Sequence, residues 1–294
     1  MRDIGLRGPV LEAAPRAQVR LGRSPLSVVG LVGSALVGVV AVAGCSGHAA
    51  SPSGSTGSSA SRAPSGASSA ATGTITVLAA ASLQESFTTI ASAFEQAHPG
   101  SKVQLSFGPS SGLAAQILGG APGDVFASAS VKTMATVLDG KAASSSTPFA
   151  VNSMEIAVPP NNPARITALA DLARPTVKTS VCHDAVPCGA AATTVFANAK
   201  ISVTPISEEA DVKAVLTKIE LGEVDAGLVY VTDVLAAGDK VGGISIPAAQ
   251  NTTTTYPIAS LTKAANPALA AEFVTYVLSA DAQKVLRDAG FAAP

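Results

Sequence analysis

Beyond residue 72 the apolar positions switch repeatedly between two periods. Ile75-Thr76-Val77-Leu78 is a short apolar run that predicts a buried strand. Leu83, Phe87, Ile90, Ala91 and Phe94 then recur at helical spacing, and His98-Pro99-Gly100 stops them. Val103, Leu105 and Phe107 alternate as in a second strand; a short helix over 113–118 closes at Gly119-Gly120, a third strand covers 124–127, and a helical segment follows over 131–138. The pattern continues with strands at 155–158 and 177–181, a helix over 190–199, and a helical stripe of Val212, Val215, Leu216 and Ile219. An apolar strand spans 226–230, and 244–246 is a further candidate. After Tyr256-Pro257 a strand over 258–261 leads to a C-terminal helix bearing Leu269, Phe273, Val274, Val277 and Leu278, then a final turn with Val285 and Leu286. Strands alternating with helices predict parallel βαβ units and an α/β fold. Ligands of such sheets bind at the carboxyl ends of strands, where helices begin. The strand-to-helix junctions are therefore the places to search for chemistry.

The first 73 residues follow neither period. Arg2, Arg7, Arg16, Arg20 and Arg23 form a basic leader, and an apolar or small-residue run over 26–44 ends in Val42-Ala43-Gly44-Cys45. That arrangement predicts a secretory signal over 1–45. The run is nearly long enough to cross a bilayer, so an N-terminal anchor helix is the alternative. The cysteine directly after Ala-Gly resembles a bacterial lipobox and favours the signal, with Cys45 as the lipidated first residue of an exported, membrane-anchored chain. Residues 46–73 are almost entirely Ser, Gly, Ala, Pro and Thr. Such a stretch has too little apolar surface to offset its ordering entropy, and reads as a flexible tether.

Composition narrows the function. Charged residues are 13% of the chain, about half the usual ~25%. Formal net charge is −1, there is no Trp, and no basic stripe is present, which excludes a nucleic-acid partner. An anion site here would not rest on a broad positive field. With Cys45 assigned to lipid, Cys182 and Cys188 remain, in an oxidising compartment. Five residues including Pro187 separate them, so a short disulfide loop is sterically plausible. Reduced thiols and a metal site are the alternatives. His183 is adjacent, but a second Cys/His cluster is missing from the sequence.

Four strand-to-helix junctions share one chemical character. They are Ala79-Ala80-Ala81-Ser82, Gly108-Pro109-Ser110-Ser111-Gly112, Val186-Pro187-Cys188-Gly189-Ala190 and Glu209-Ala210-Asp211. Each presents small residues or hydroxyls at a helix start, where free N–H groups and the positive end of the helix dipole suit an anion. Taken singly, each has an ordinary reading. Ser82 with Glu85 three residues on is a capping box, Ser110-Ser111-Gly112 is a turn, and Asp211 is a helix cap. Their conjunction in one α/β frame is what points to a site.

Several segments are also familiar. Thr76-Val77-Leu78-Ala79-Ala80-Ala81-Ser82-Leu83 and Phe107-Gly108-Pro109-Ser110-Ser111-Gly112-Leu113-Ala114 resemble the first two ligand loops of the periplasmic molybdate-binding proteins. Gly119 through Ala127, Val186-Pro187-Cys188-Gly189, Asp211-Val212-Lys213 and Gly227-Leu228-Val229-Tyr230 resemble later family segments, in order. The resemblance implies a two-lobed periplasmic-binding-protein fold, with lobe 1 over 74–150 and 254–294, lobe 2 over 151–253, two crossing strands and a ligand cleft between the lobes. It also implies that Ser82, Ser110 and Tyr230 donate hydroxyls to an oxyanion, while Ser111, Cys188 and Val212 donate backbone N–H groups. Family members often carry Ala where this chain has Cys188, a departure that keeps the backbone donor. The implied ligand is molybdate or tungstate, with no cofactor and no metal held by side chains. The implied partners are an ABC transporter's membrane permease and its ATPase subunits, with the binding protein itself a monomer.

The chemistry of the donor set agrees. Molybdate, tungstate and sulfate carry no proton at neutral pH, so their site needs donors and no acceptor. Phosphate keeps a proton and calls for a carboxylate. Asp124 reads as structural, and Lys213 as solvated or packing its stem. Sulfate or another small solute is the alternative ligand. An enzyme with Ser82 or Ser110 as nucleophile is the alternative class, but the sequence has no Gly-x-Ser-x-Gly elbow and offers only His48, His98 and His183 as bases, and a disulfide to Cys182 would silence a Cys188–His183 pair. A purely structural surface lipoprotein is the third reading, and it would leave the four junctions scattered.

Overall fold

The computed structural model describes residues 71–294; the leader, Cys45, His48 and the tether up to residue 70 lie outside the described residues. β1 (Gly73–Ala80) passes through a 3-10 turn (Ala81–Leu83) into α1 (Gln84–Ala97). Then come β2 (Ser101–Gly108), α2 (Ser110–Leu118), β3 (Val125–Ala127), α3 (Val131–Asp139) and the long β4 (Thr147–Val158). The chain continues through β5 (Thr179–Cys182), α4 (Pro187–Ala199), β6 (Ser207–Glu209), α5 (Val212–Glu220), β7 (Ala226–Tyr230), α6 (Val231–Ala237) and β8 (Gly242–Ser245). It closes with β9 (Thr253–Ser260), α7 (Pro267–Val277) and α8 (Ala280–Asp288).

The strand order is β2-β1-β3-β9-β4-β7-β5-β6, with β8 also on β4. β1 pairs in parallel with β2 and β3, and β5 in parallel with β6 and β7. These are the two βαβ halves. β4 joins them. Its first part pairs antiparallel with β9, from Thr147↔Ile258 to Ser153↔Thr253, and its second part with β7, from Met154↔Tyr230 to Ala157↔Gly227. One strand thus runs from one lobe's sheet into the other's.

Each lobe has its own core. In the first, α1, α7 and the sheet bury Phe87, Phe94 and Phe273, with Phe94 and Phe273 edge-to-face at 5.2 Å. Ring pairs at this geometry add about 0.5–1.5 kcal/mol beyond their area burial. In the second, α5 lays Val215 and Ile219 over Gly227 of β7, in a core that also buries Leu228 and Val229. Gly227 permits that approach: a Cβ there would stand 2.7 Å from Val215 Cγ1 and 2.9 Å from the Ser180 carbonyl oxygen.

The structure departs from the sequence pattern in five places. The strands expected at 155–158 and 258–261 extend back to Thr147 and Thr253. Their added halves, including Asn152-Ser153 and Thr253-Thr254-Thr255, pair with one another between the lobes and have no apolar alternation to show. The short β6 and α6 were not expected, and the final turn is the helix α8, capped by Ser279.

Candidate oxyanion site

Two buried serines open the site from the first lobe. Ser82 lies in the turn after β1, and its hydroxyl sits 2.8 Å from Tyr256 Oη. The expected Ser82–Glu85 capping box does not form. The chain enters α1 through a 3-10 turn, Leu83 occupies the N-cap without a side-chain bond, and Glu85 turns to Lys213 instead. Ser110 is the first residue of α2 and only 1% exposed. Its Oγ accepts the Ala129 N–H at 2.9 Å. A backbone N–H can only donate, so the Ser110 proton is left to point elsewhere. The N–H groups of Ser111 and Gly112 belong to the first turn of α2 and have no partner within that helix.

The second lobe adds three more elements. β5 ends at Cys182, which is joined to Cys188 by a disulfide with Cα atoms 5.7 Å apart. Cys188 is the second residue of α4, behind Pro187, which supplies no N–H of its own. The next residue has to be glycine, because a Cβ on Gly189 would stand 2.0 Å from the His183 carbonyl oxygen. The loop is thus drawn tightly against the start of α4, and the first N–H groups of that helix face out of it. Asp211 caps α5 by accepting the Ala214 N–H at 3.0 Å, which makes Val212 the first helical donor. Tyr230 ends β7 at 1% exposure, and its hydroxyl makes no well-formed hydrogen bond, although the Thr254 and Tyr256 hydroxyls stand beside it. Burying such a group unpaired costs about 1–3 kcal/mol. Burial first, and the nearby Asp233 charge second, push its titration above the ordinary phenol range, so it stays a donor.

These elements meet. Ser82, Ser110, Cys188, Val212 and Tyr230 line one cavity of about 20 Å³, together with Ala80, Ala81, Gly108, Pro109, Ala129, Pro187 and Asp211. Pockets for organic ligands run to roughly 300–1,000 Å³, so this one is too small for an organic solute. Ser111 is the exception among the expected residues: its side chain lines a neighbouring groove, and only its N–H faces the α2 first turn. That groove is far larger, about 580 Å³, and lies between α2, α3, α4 and Thr252–Thr255. It contains neither Ser82, Ser110 nor Tyr230, and the convergent donors and the unpartnered phenol belong to the small cavity.

No lysine or arginine lines the cavity. Asp211 does, but one of its carboxylate oxygens is held by the cap of α5. Lys213 follows the cavity-lining Val212, and it is neither solvated nor merely packing its stem. Its ammonium contacts Glu85 of α1 at 2.9 Å and Asp233 of α6 at 3.0 Å. Burial opposes that charge, but the Asp233 and Glu85 carboxylates outweigh it and raise the lysine above its ordinary value. Asp233, fully buried, also accepts the Tyr230 N–H at 3.1 Å. Sequence reasoning missed this triad and Tyr256: Ser82 and Tyr256 are 174 residues apart and Glu85 and Lys213 are 128 apart, while Asp233 comes from the next helix, α6. Asp124 holds the Thr76 and Asn266 N–H groups, away from the cavity. The His183 ring is exposed and accepts the Ala185 N–H. Nothing places it beside either serine as a base. Among the described residues, no group of three His, Cys, Asp or Glu could hold a metal ion, and no helix is long and apolar enough to cross a membrane.

The chain has known relatives. The molybdate-binding protein ModA of Mycobacterium tuberculosis strain H37Rv is 42% identical over 222 residues, covering 75% of this chain and 85% of the relative. A Bacillus subtilis strain 168 protein named as an ABC-transporter substrate-binding lipoprotein is 31% identical over 233 residues, covering 75% and 86%. Among solved structures, the periplasmic molybdate-binding protein of Azotobacter vinelandii superposes with a TM-score of 0.67 at 20% identity, over 75% of this chain and 99% of that one. It shares the two-lobed α/β fold. Residues 75–292, both lobes and every cavity-lining element included, match the model of one family, and the chain therefore belongs to the bacterial extracellular solute-binding proteins.

Proposed function

We propose that this protein captures molybdate, and tungstate with it, and passes the anion to the membrane permease of an ABC importer driven by ATPase subunits. The observation that carries the reading is the convergence of neutral donors from both lobes on one small cavity with no cationic side chain. A doubly charged anion placed there meets the free N–H groups of α2, α4 and α5, the Ser82 and Ser110 hydroxyls and the unpartnered Tyr230 phenol. Hydrogen bonds to a charged acceptor are roughly twice as strong as neutral ones, and a dry site strengthens them further. Closing the lobes brings the two donor sets together, so the ligand favours the closed arrangement. Binding without turnover is the expected outcome, since no histidine lines the cavity and its one carboxylate, Asp211, is engaged in the cap of α5. The 42% identical relative named for molybdate supports this choice of anion over sulfate.

The signal and lipobox ending at Cys45 support export and lipid anchoring to the cell membrane, as does the relative named a lipoprotein. The protein acts as a monomer at the end of its tether. The test of the site is retention. Purified protein equilibrated with molybdate and then desalted should hold one molybdenum per chain by elemental analysis, and the Ser82→Ala/Ser110→Ala double variant should hold none. Retention by a folded double variant would overturn the assignment.

A further inference from the structure

Tyr256 lies outside the cavity lining, yet it ends at it. Its ring is fully buried, packed edge-on against Phe149, Tyr230 and Phe291. Phenylalanine would serve that packing equally well. The hydroxyl is what reaches on to Ser82 Oγ at 2.8 Å, from β9, one of the two strands shared between the lobes.

The two cavity serines are held alike. Ser110 Oγ accepts from the Ala129 N–H, so its own proton is directed away from that bond. For Ser82 the Tyr256 hydroxyl stands where the backbone N–H stands for Ser110. A phenol is a far stronger acid than an aliphatic alcohol, so in a phenol–alcohol pair the phenol donates. Burial first, and Tyr230 second, hold the Tyr256 proton well beyond the ordinary phenol range. On its other side the phenol faces Asn152, whose amide is itself fixed, donating to Thr232 Oγ1 at 2.8 Å and accepting the Ser153 N–H at 3.0 Å. The Tyr230 hydroxyl also stands beside Tyr256; with the Tyr256 proton directed to Ser82, the chain of hydroxyls runs from Tyr256 to Ser82 to the cavity.

We propose that Tyr256 is a positioning residue that sets specificity: by donating to Ser82 Oγ it turns the Ser82 proton into the cavity, so that the cavity favours tetrahedral oxyanions without a proton over those that carry one. This rests on the oxyanion reading above and adds the device that enforces it. A hydrogen phosphate brings a P–O–H that needs an acceptor. Tyr256 takes one of the two lone pairs of Ser82 and turns the Ser82 proton to the cavity, so a P–O–H would meet that proton before it reached the remaining lone pair. A buried donor left without an acceptor weakens binding roughly 5- to 150-fold.

The test is a double-mutant cycle on the whole protein at pH 8, with molybdate affinity measured directly and phosphate by competition. Tyr256→Phe should weaken molybdate binding roughly three- to tenfold, the scale of one hydrogen bond, and should lower the molybdate-over-phosphate ratio by more than that. In a Ser82→Ala background the same substitution should change neither quantity, because the tyrosine acts through the serine. A fluorinated tyrosine at this position keeps the ring and donates more strongly, so it should raise the ratio, and it serves as the measurement if the Phe variant does not fold. An unchanged ratio in Tyr256→Phe, or an effect that persists undiminished without Ser82, would overturn the proposal while leaving the oxyanion site intact. A wild-type protein that binds no oxyanion would overturn the site itself.

Discussion

Lys213 should be costly to remove, because it neutralises a buried carboxylate. Its ammonium sits 3.0 Å from a carboxylate oxygen of Asp233, which is fully buried, and bridges to the half-exposed Glu85 of the other lobe. Lys213→Met keeps the packing of the stem but leaves Asp233 buried without its cation. Breaking a buried pair from one side costs about 3–5 kcal/mol. The exposed Glu85 contact adds under about 1 kcal/mol. Asp233 can escape part of the penalty by taking a proton, and that escape depends on pH. Its titration is already raised, by burial first and against the pull of Lys213; without the lysine it moves further up. A carboxylate raised in the fold binds protons more tightly than in the unfolded chain, so its cost grows as pH climbs from the ordinary 3.8. Taking the proton costs about 1.6 kcal/mol at pH 5 and about 5.7 kcal/mol at pH 8. The loss in Lys213→Met should therefore be about 3–5 kcal/mol at pH 8 and no more than about 2 kcal/mol at pH 5. Urea unfolding followed by circular dichroism at the two pH values reads it directly. Lys213→Met/Asp233→Asn should recover most of the loss at pH 8, since no buried charge remains and the amide oxygen still accepts the Tyr230 N–H. Equal losses at both pH values, or no recovery in the double variant, would refute the reasoning.

The other predictions are simpler. Ser82→Ala and Ser110→Ala should each lower molybdate affinity by about 1.5–3 kcal/mol, the scale of a hydrogen bond to a charged group, with folding little changed by circular dichroism. Reducing the Cys182–Cys188 disulfide should lower unfolding stability by about 2 kcal/mol, and should weaken molybdate binding by loosening the start of α4; thermal melts and titrations with and without dithiothreitol check both. Cys45→Ala should move the protein from the membrane fraction to the soluble one on cell fractionation, and continued membrane retention would argue for an anchor helix instead.

How much of this was legible in the sequence depended on how local the determinant is. The elements with a clear period, such as α1 with Phe87, Ile90 and Phe94 or the apolar β7, stand where the pattern put them. The crossing halves of β4 and β9 do not show, because Asn152, Ser153 and Thr253–Thr255 pair with each other between two sheets and cover no apolar face on alternate positions. Five of the six expected site residues line one cavity, because each marks the end of a strand and the start of a helix, a junction readable within a few residues. Ser82 was misread in part. Its spacing from Glu85 looked like a capping box, while Tyr256 and Lys213, contributed from distant parts of the chain, claimed those two side chains. Lys213 beside Val212 read as a surface lysine for the same reason: nothing near it in sequence announces a buried Asp233.

The central claim is that this cavity holds a doubly charged tetrahedral oxyanion by neutral donors alone. Calorimetric titration of the protein with molybdate, tungstate, sulfate and phosphate in turn tests it most directly. The account predicts tight one-to-one binding of molybdate and tungstate, weaker sulfate binding and essentially no heat from phosphate. Phosphate binding as tight as molybdate, or silence with all four anions, would contradict it.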